Sequence, residues 1–109
     1  MSNPTSNPAP EISQLDPVAV FSALGSKVRL PVIKVLADGR IMSVPQIAAM
    51  FGRNRDGISR QMRVLDAAGV VKQYLGEDRR LAVYQIPAAF RPSPGVLDFG
   101  FCRVDVNEL

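Results

Sequence analysis

The sequence predicts a small α+β domain that is mainly α-helical and ends in one antiparallel β-hairpin. Apolar residues recur at helical spacing in four successive segments, each preceded by a residue that can cap a helix. After Gly69 the spacing changes to alternation in the runs VVKQYL and LAVYQI, which the turn-rich GEDRR joins. The 109 residues, 47% of them hydrophobic, suffice for one domain with a modest core.

The first two helices have clear starting residues. Asp16 followed by Pro17 is typical of a helix start, with the carboxylate as cap and proline in the first turn. That helix should end at Gly25. Ser26 should cap the second helix. Pro31 has no N–H to donate to the preceding turn, so we expect an irregular first turn or a late start there.

The third and fourth helices are separated by a tight turn. Ser43 and Gln46 have the spacing of a capping box, and Gly52 lies where a helix C-terminus favours a residue with positive φ. Asn54 can then cap a helix that covers residues 54–68. Its inward face is expected to consist of Ile58, Met62 and Leu65. Its outward face is expected to consist of Arg55, Asp56, Ser59, Arg60 and Arg63.

The predicted order of elements is helix, helix, short strand, helix, turn, helix and hairpin. This order is that of a winged helix-turn-helix domain, in which the hairpin forms the wing, and we assign it to residues 16–87. Residues 1–15, rich in Pro, Ser and Asn, are expected to form a disordered tail. Residues 88–109 are predicted to be a Pro-rich linker, with room for one short turn of helix, and a strand-like tail. The large apolar groups of the tail should be covered either by the domain itself or by a partner subunit, and we expect the partner.

Basic residues are concentrated on the fourth helix and the hairpin. Between Arg53 and Arg80 there are seven basic and four acidic residues, an excess equal to the net charge of the whole chain, +3. A surface that contacts DNA phosphates requires such an excess. A solvated arginine-rich face would carry the same charge, and the helix-turn-helix spacing favours DNA binding over it. The predicted DNA-binding residues are Arg53, Asn54, Arg55, Ser59, Arg60, Arg63, Arg79 and Arg80.

Composition argues against several other functions. The chain has no histidine and a single cysteine, Cys102, which leaves no disulfide framework and removes the commonest metal ligand and general base. No carboxylate pair or nucleophile–base set supports an enzyme, and no cofactor is expected. No apolar run approaches the roughly 18 residues of a membrane span, and the N-terminus does not resemble a signal peptide. We therefore expect a cytoplasmic protein that binds neither a membrane nor a metal.

Several motifs resemble the ArsR-type (arsenic-repressor-like) winged-helix transcriptional regulators. They are the Ala-Leu-Gly-Ser-x-x-Arg-Leu run at residues 23–30, the Ile-Ser-Arg-x-x-x-x-Leu run at 58–65, and Ala-Gly-Val-Val at 68–71. The resemblance implies a homodimeric bacterial repressor that binds double-stranded DNA. It also implies that helix 54–68 enters the major groove while wing 70–86 approaches the flanking DNA. The alternative is a winged-helix protein–protein interaction module that does not bind DNA.

The chain differs from that family at the positions used for metal sensing. Metal-sensing members have a cysteine pair where this chain has Ser43 and Pro45, and others use histidine and aspartate on a C-terminal helix. Thiolate and imidazole are the ligands that soft and borderline metals prefer. Residues 88–109 also lack the pattern of the C-terminal helix that pairs across the family's dimers. The resemblance thus implies a regulator that does not sense metal through the usual ligands.

Overall fold

The computed structural model describes residues 15–77 and 80–109, so the predicted disordered tail lies outside the described residues apart from Leu15. The helices are α1 (Pro17–Leu24), α2 (Arg29–Leu36), α3 (Val44–Phe51) and α4 (Arg55–Ala67). The strands are β1 (Met42–Ser43), β2 (Lys72–Leu75), β3 (Ala82–Gln85), β4 (Val96–Asp98) and β5 (Arg103–Asp105). Short 3₁₀ turns cover Ala88–Phe90 and Val106–Glu108.

The first helix begins directly after its predicted cap, whereas the second begins three residues after Ser26. Asp16 Oδ1 accepts a hydrogen bond from the Val18 N–H at 3.1 Å, and α1 follows directly. Ser26 Oγ accepts from the Arg29 N–H at 3.2 Å, and α2 begins at Arg29. Pro31 therefore lies in the first turn of α2, where its missing N–H removes no helical hydrogen bond. The expected late start of this helix is confirmed.

The turn between α3 and α4 is fixed by local hydrogen bonds. Ser43 Oγ accepts from the Gln46 N–H at 3.3 Å, while Gln46 Oε1 accepts from the Ser43 N–H at 2.8 Å, which completes the predicted capping box. Gly52 ends α3 with a φ of +62°. Asn54 Oδ1 accepts from the Gly57 N–H at 3.1 Å and caps α4. These contacts set the angle at which α4 leaves the turn.

The wing is anchored to the helical body through a three-stranded antiparallel sheet in the order β1–β3–β2. Met42 of β1 pairs with Tyr84 of β3, and Gln73 of β2 pairs with the same tyrosine from the other side. Because β1 leads directly into α3, the sheet fixes the wing relative to the helix-turn-helix. The predicted class, mainly α with a small antiparallel hairpin in winged helix-turn-helix order, is confirmed.

All four helices contribute to one core. The predicted inward face of α4 is confirmed, since Ile58, Met62 and Leu65 are at most 1% exposed. Other fully buried side chains come from α1, α2, α3 and the segment after β3: Val20, Val32, Ile33, Leu36, Ile47, Ile86 and Phe90. Since these side chains occupy the inside of the domain, the opposite face of α4 is turned to the solvent.

Residues 88–109 pack on the domain itself. Phe90, Leu97 and Phe99 are fully buried in the common core, and the rings of Phe90 and Phe99 lie 5.2 Å apart. β4 and β5 pair as a hairpin, with Leu97 opposite Val104, where the sequence predicts a single strand-like tail. The expectation that a partner subunit covers the tail's apolar groups is therefore wrong for Leu97 and Phe99. The spacing of apolar residues along the chain could not show that the tail packs on its own domain, because this burial depends on contacts between residues far apart in the sequence.

Candidate nucleic-acid interface

The outward face of α4 and the preceding turn carry exposed arginines. Arg53, Arg55 and Arg60 are exposed, and their guanidinium groups make no hydrogen bond or ion pair within residues 15–77 and 80–109. Fixed positive charge without an internal partner attracts anions. A guanidinium group can donate to two phosphate oxygens or to two acceptors on a base edge at once. This face therefore has the donors that DNA contact requires.

The side chain of Arg63 is held by the helix itself. Its Nη2 donates to Ser59 Oγ at 3.3 Å, and its Nε lies 3.4 Å from the Ser59 carbonyl oxygen. Arg60 bends back along the helix, since its Nη2 would lie 3.9 Å from a β-carbon built on Gly57. The structure thus brings Ser59 and Arg63 together as a pair and leaves Arg60 separate from them.

Asn54 has a structural role whatever it contacts outside the chain. Its side-chain oxygen is taken up by the Gly57 N–H, so only its amide N–H groups are left to donate to a ligand. Arg53 precedes it in the turn, and the Arg53 backbone N–H donates to the Ala48 carbonyl at 2.9 Å. Both predicted site residues are therefore placed by the turn, next to the first turn of α4.

A groove of about 460 Å³ separates α4 from the wing. The α4 side of the groove is lined by Arg55, Asp56, Ser59 and Arg63. The wing side is lined by Gln73, Arg80, Leu81, Ala82 and Tyr84. Arg80 is exposed and interacts within the protein, whereas the predicted site residue Arg79 lies outside the described residues. The groove thus brings residues predicted from the helix and the wing to one surface.

Tyr84 forms a neutral wall of this groove. Its hydroxyl donates to Gln73 Oε1 at 3.3 Å. Burial raises the pKa of Tyr84, the charge of Asp66 raises it further, and the charge of Arg63 opposes both. The phenol therefore stays protonated at neutral pH, and the charge at the groove comes from its arginines and Asp56.

Sequence reasoning did not place Gln73, Leu81 or Tyr84 at the site. The alternation of apolar residues in the hairpin shows which side chains share a face of a strand. The side of the hairpin that is turned toward α4 depends on the register between β2 and β3, and on the pairing of β3 with β1. Residue spacing within the hairpin does not reveal this arrangement, because β1 and β3 are far apart in the sequence and pair only in the folded domain.

The described residues offer few groups for other chemistry. Among residues 15–77 and 80–109, no group of three or more His, Cys, Asp or Glu side chains lies close enough to hold a metal ion. Cys102 is partly buried, and burial raises the pKa of its thiol, with a further contribution from Asp98. The reactive thiolate is therefore scarce at neutral pH. In the same part of the chain, no helix is both long and apolar enough to span a bilayer.

The helix-turn-helix, the wing and the groove between them define a winged-helix domain, and known structures with the same fold support this. The chain is similar to HlyU from Vibrio cholerae N16961, with 20% identity and a TM-score of 0.57 over 63% of this chain and 72% of that one. It is also similar to the transcriptional regulator HlyU from Vibrio vulnificus CMCP6, with 20% identity and a TM-score of 0.55 over 63% of this chain and 69% of that one. No protein-family model and no curated protein matches the chain by sequence. At this identity the likeness establishes the fold.

Proposed function

We propose that this protein is a sequence-specific DNA-binding transcriptional regulator of the ArsR type, acting as a repressor. The main support is the set of arginines on the exposed face of α4 and its preceding turn that pair with no other group in the described part of the chain. In this proposal α4 enters the major groove, while the wing contacts the flanking DNA. The HlyU structure from Vibrio vulnificus, described as a transcriptional regulator, has the same fold and supports this class of function.

The predicted site residues take distinct roles in the proposal. Arg60 has an unpaired guanidinium group on the exposed face and contacts base edges, for which guanine N7 and O6 are the matching acceptors. Arg63 is held by Ser59 and contacts a phosphate, as do the remaining arginines of the turn and the wing. Asn54 caps α4 and donates from its amide group. These remaining arginines, which also contact phosphates, are Arg53, Arg55, Arg79 and Arg80.

A protein–protein interaction module is the second candidate function. The centres of protein interfaces are depleted of charge, because burying an unpaired charge is costly. Several unpaired guanidinium groups on one face therefore fit a polyanion better than an ordinary protein surface. A regulator of this kind needs no catalytic group or metal, and it acts in the cytoplasm with the DNA.

We further propose that the regulator is a homodimer that forms without metal. One α4 covers a half-site, so a two-fold dimer is the economical way to reach useful specificity. The largest exposed apolar side chains of α1, Val18 and Phe21, are 74% and 53% exposed. Phe101 packs edge-on against Phe21 at 5.5 Å and is itself 38% exposed. This α1–Phe101 patch is the proposed dimer surface.

The dimer is tested by placing a charge in that patch. Val18→Glu should give a monomer in analytical ultracentrifugation, because an unpaired carboxylate in an apolar interface is costly. Ile41→Glu is the matched control, since Ile41 is 54% exposed and lies outside the patch. A chelator should change neither the mass nor the DNA affinity of the wild-type protein. A Val18→Glu protein that stays dimeric would exclude this surface, and a chelator that abolishes DNA binding would show that metal is required.

DNA binding itself is tested by capture of fragmented host genomic DNA on the purified protein, followed by sequencing. The wild-type protein should enrich a small set of fragments that share a sequence. Arg60→Ala should weaken binding to that sequence by about 1–3 kcal/mol and relax the preference at one position. Arg103→Ala is the control, because that exposed arginine of β5 pairs with Asp98 and does not line the groove between α4 and the wing. Failure to enrich any sequence would contradict the proposal.

A further inference from the structure

One acidic side chain lies on the arginine-rich face. Asp56 occupies the first turn of α4, is exposed, and lines the groove together with Arg55 and Arg63. Within the described residues its carboxylate accepts no hydrogen bond and forms no ion pair. Arg60 lies four residues later, where an ion pair with Asp56 would be possible, but its guanidinium group bends back toward Gly57 and does not pair with it. The carboxylate is therefore free to meet a ligand.

A carboxylate in this position can pair with only some of the groups that DNA presents. It has no hydrogen to donate, so it repels phosphate and also meets the guanine N7 and O6 acceptors unfavourably. In the major groove the donors are the amino groups of cytosine N4 and adenine N6, and adenine presents the N7 acceptor next to its amino group. A carboxylate therefore matches cytosine best. Its favourable interaction with the helix dipole explains an acidic residue in the first turn, but does not relieve this repulsion when DNA is bound.

We propose that Asp56 determines specificity by accepting a hydrogen bond from the N4 amino group of a cytosine in each half-site. The proposal rests on the proposed function, in which α4 enters the major groove. Asp56 raises specificity by repulsion as well as attraction, because every DNA register without a donor at this point places an unpaired carboxylate against acceptors. Its negative charge also weakens binding to unrelated DNA, since it offsets one arginine at the interface.

The isosteric amide separates these effects. Asp56→Asn keeps the size of the side chain but removes the charge and adds an amide NH2 donor. The new side chain matches adenine, because its NH2 can donate to N7 while its oxygen accepts from the N6 amino group. Asp66→Asn is the matched control, because Asp66 is an exposed carboxylate on the same helix but lines a different groove, near Leu15 and Pro87. Both variants change the net charge by the same amount, so a difference between their DNA-binding properties reflects the position of the carboxylate on α4.

The test is selection of binding sites from a random-sequence duplex pool by the full-length wild-type protein and the two variants. The wild-type sites should contain a C·G pair at one fixed position in each half-site. Asp56→Asn should lose that preference, and its affinity for the wild-type site should fall roughly 5- to 150-fold. Its affinity for a shuffled duplex should rise. Asp66→Asn should select the wild-type sequence and bind it with wild-type affinity.

Three outcomes would overturn the inference. If Asp56→Asn selects the same C·G pair and binds as tightly as the wild-type protein, the carboxylate does not read cytosine, although the proposed function stands. If Asp56→Asn weakens binding to the selected and the shuffled duplex equally, with a matching fall in thermal stability, Asp56 acts by supporting the helix. If the wild-type protein selects no sequence, the proposed function fails as well.

Discussion

Leu65→Ala tests which face of α4 is turned inward, and so which side chains are left for DNA. Leu65 is 0% exposed and lies on the face of α4 that also carries Ile58 and Met62. Rotating the helix enough to expose this face would bury Arg60 or Arg63, which the core offers no partner to stabilise. The stability of the domain therefore reports the orientation on which the proposed site depends.

The expected loss follows from the atoms removed. Truncation at Leu65 deletes about three carbon groups, and at ~0.8 kcal/mol each the transfer free energy is about 2.4 kcal/mol. The cavity left in a core that relaxes only partly adds to this, which gives about 3 kcal/mol within a range of ~2–5 kcal/mol. A small domain is stabilised by about 5–15 kcal/mol in total, so the variant should still fold but with a much reduced margin.

Urea denaturation followed by circular dichroism measures the effect. With a denaturant slope of about 1–3 kcal/mol per molar, the midpoint for Leu65→Ala should fall by about 1–3 M. Val64→Ala is the matched control, because Val64 is the next residue on the same helix and is 42% exposed. It should change the unfolding free energy by less than about 1 kcal/mol. A Leu65→Ala loss below about 0.5 kcal/mol would show that the orientation of α4 is wrong.

Two further predictions concern glycine and acid stability. Gly57→Ala should stabilise the domain by about 0.5–1 kcal/mol in thermal unfolding, because a β-carbon there makes only ordinary contacts within a helix. Gly52→Ala should destabilise the domain by about 1–2 kcal/mol, because Gly52 has a φ of +62°. Equal effects of the two substitutions would contradict this. The Gly100 N–H and then the Arg103 side chain lower the pKa of Asp98 below 3.8. The folded state thus holds that proton less tightly than the unfolded chain, so the stabilisation is present above about pH 4 and disappears as the pH falls further. The unfolding free-energy difference between wild type and Asp98→Asn should shrink over that acid range, and a difference constant between about pH 2 and 6 would contradict this.

The sequence predicted those parts of the fold that depend on neighbouring residues. The capping box at Ser43 and Gln46, and the cap at Asn54, lie within one helical turn of the groups they satisfy, so their spacing alone identifies α3 and α4. The late start of α2 was likewise expected from Pro31, which restricts its own turn.

The segment after the wing was predicted only in part, for a physical reason. A short helical turn and strand structure were expected there, but the pairing of two strands and their packing on the domain were not. Residues 88–109 contain few capping signals and alternate irregularly, and their order comes from packing on the core formed by the four helices. Leu97 and Phe99 are buried by this packing, and Gly100, with a φ of +93°, lies in the tight turn between β4 and β5. Truncation after Pro94 would therefore expose the core, so a point substitution in the α1–Phe101 patch is the cleaner test of dimerisation.

Residue spacing predicted which side chains of α4 are exposed, but it did not predict which side chains of the wing face α4. Helical spacing alone places Arg60 and Arg63 outside when Met62 and Leu65 are inside. The groove wall at Tyr84 depends on strand register and on how β3 pairs with β1, which residue spacing does not determine.

The central claim is that α4 and the wing bind double-stranded DNA, and the salt dependence of affinity tests it most directly. Fluorescence anisotropy with the selected duplex should show the logarithm of the wild-type affinity falling linearly with the logarithm of salt concentration between about 50 and 200 mM. A quadruple alanine variant at Arg60, Arg63, Arg79 and Arg80, with the wild-type circular dichroism spectrum, should bind more weakly and with a shallower slope. A folded quadruple variant that binds with wild-type affinity and slope would contradict the claim.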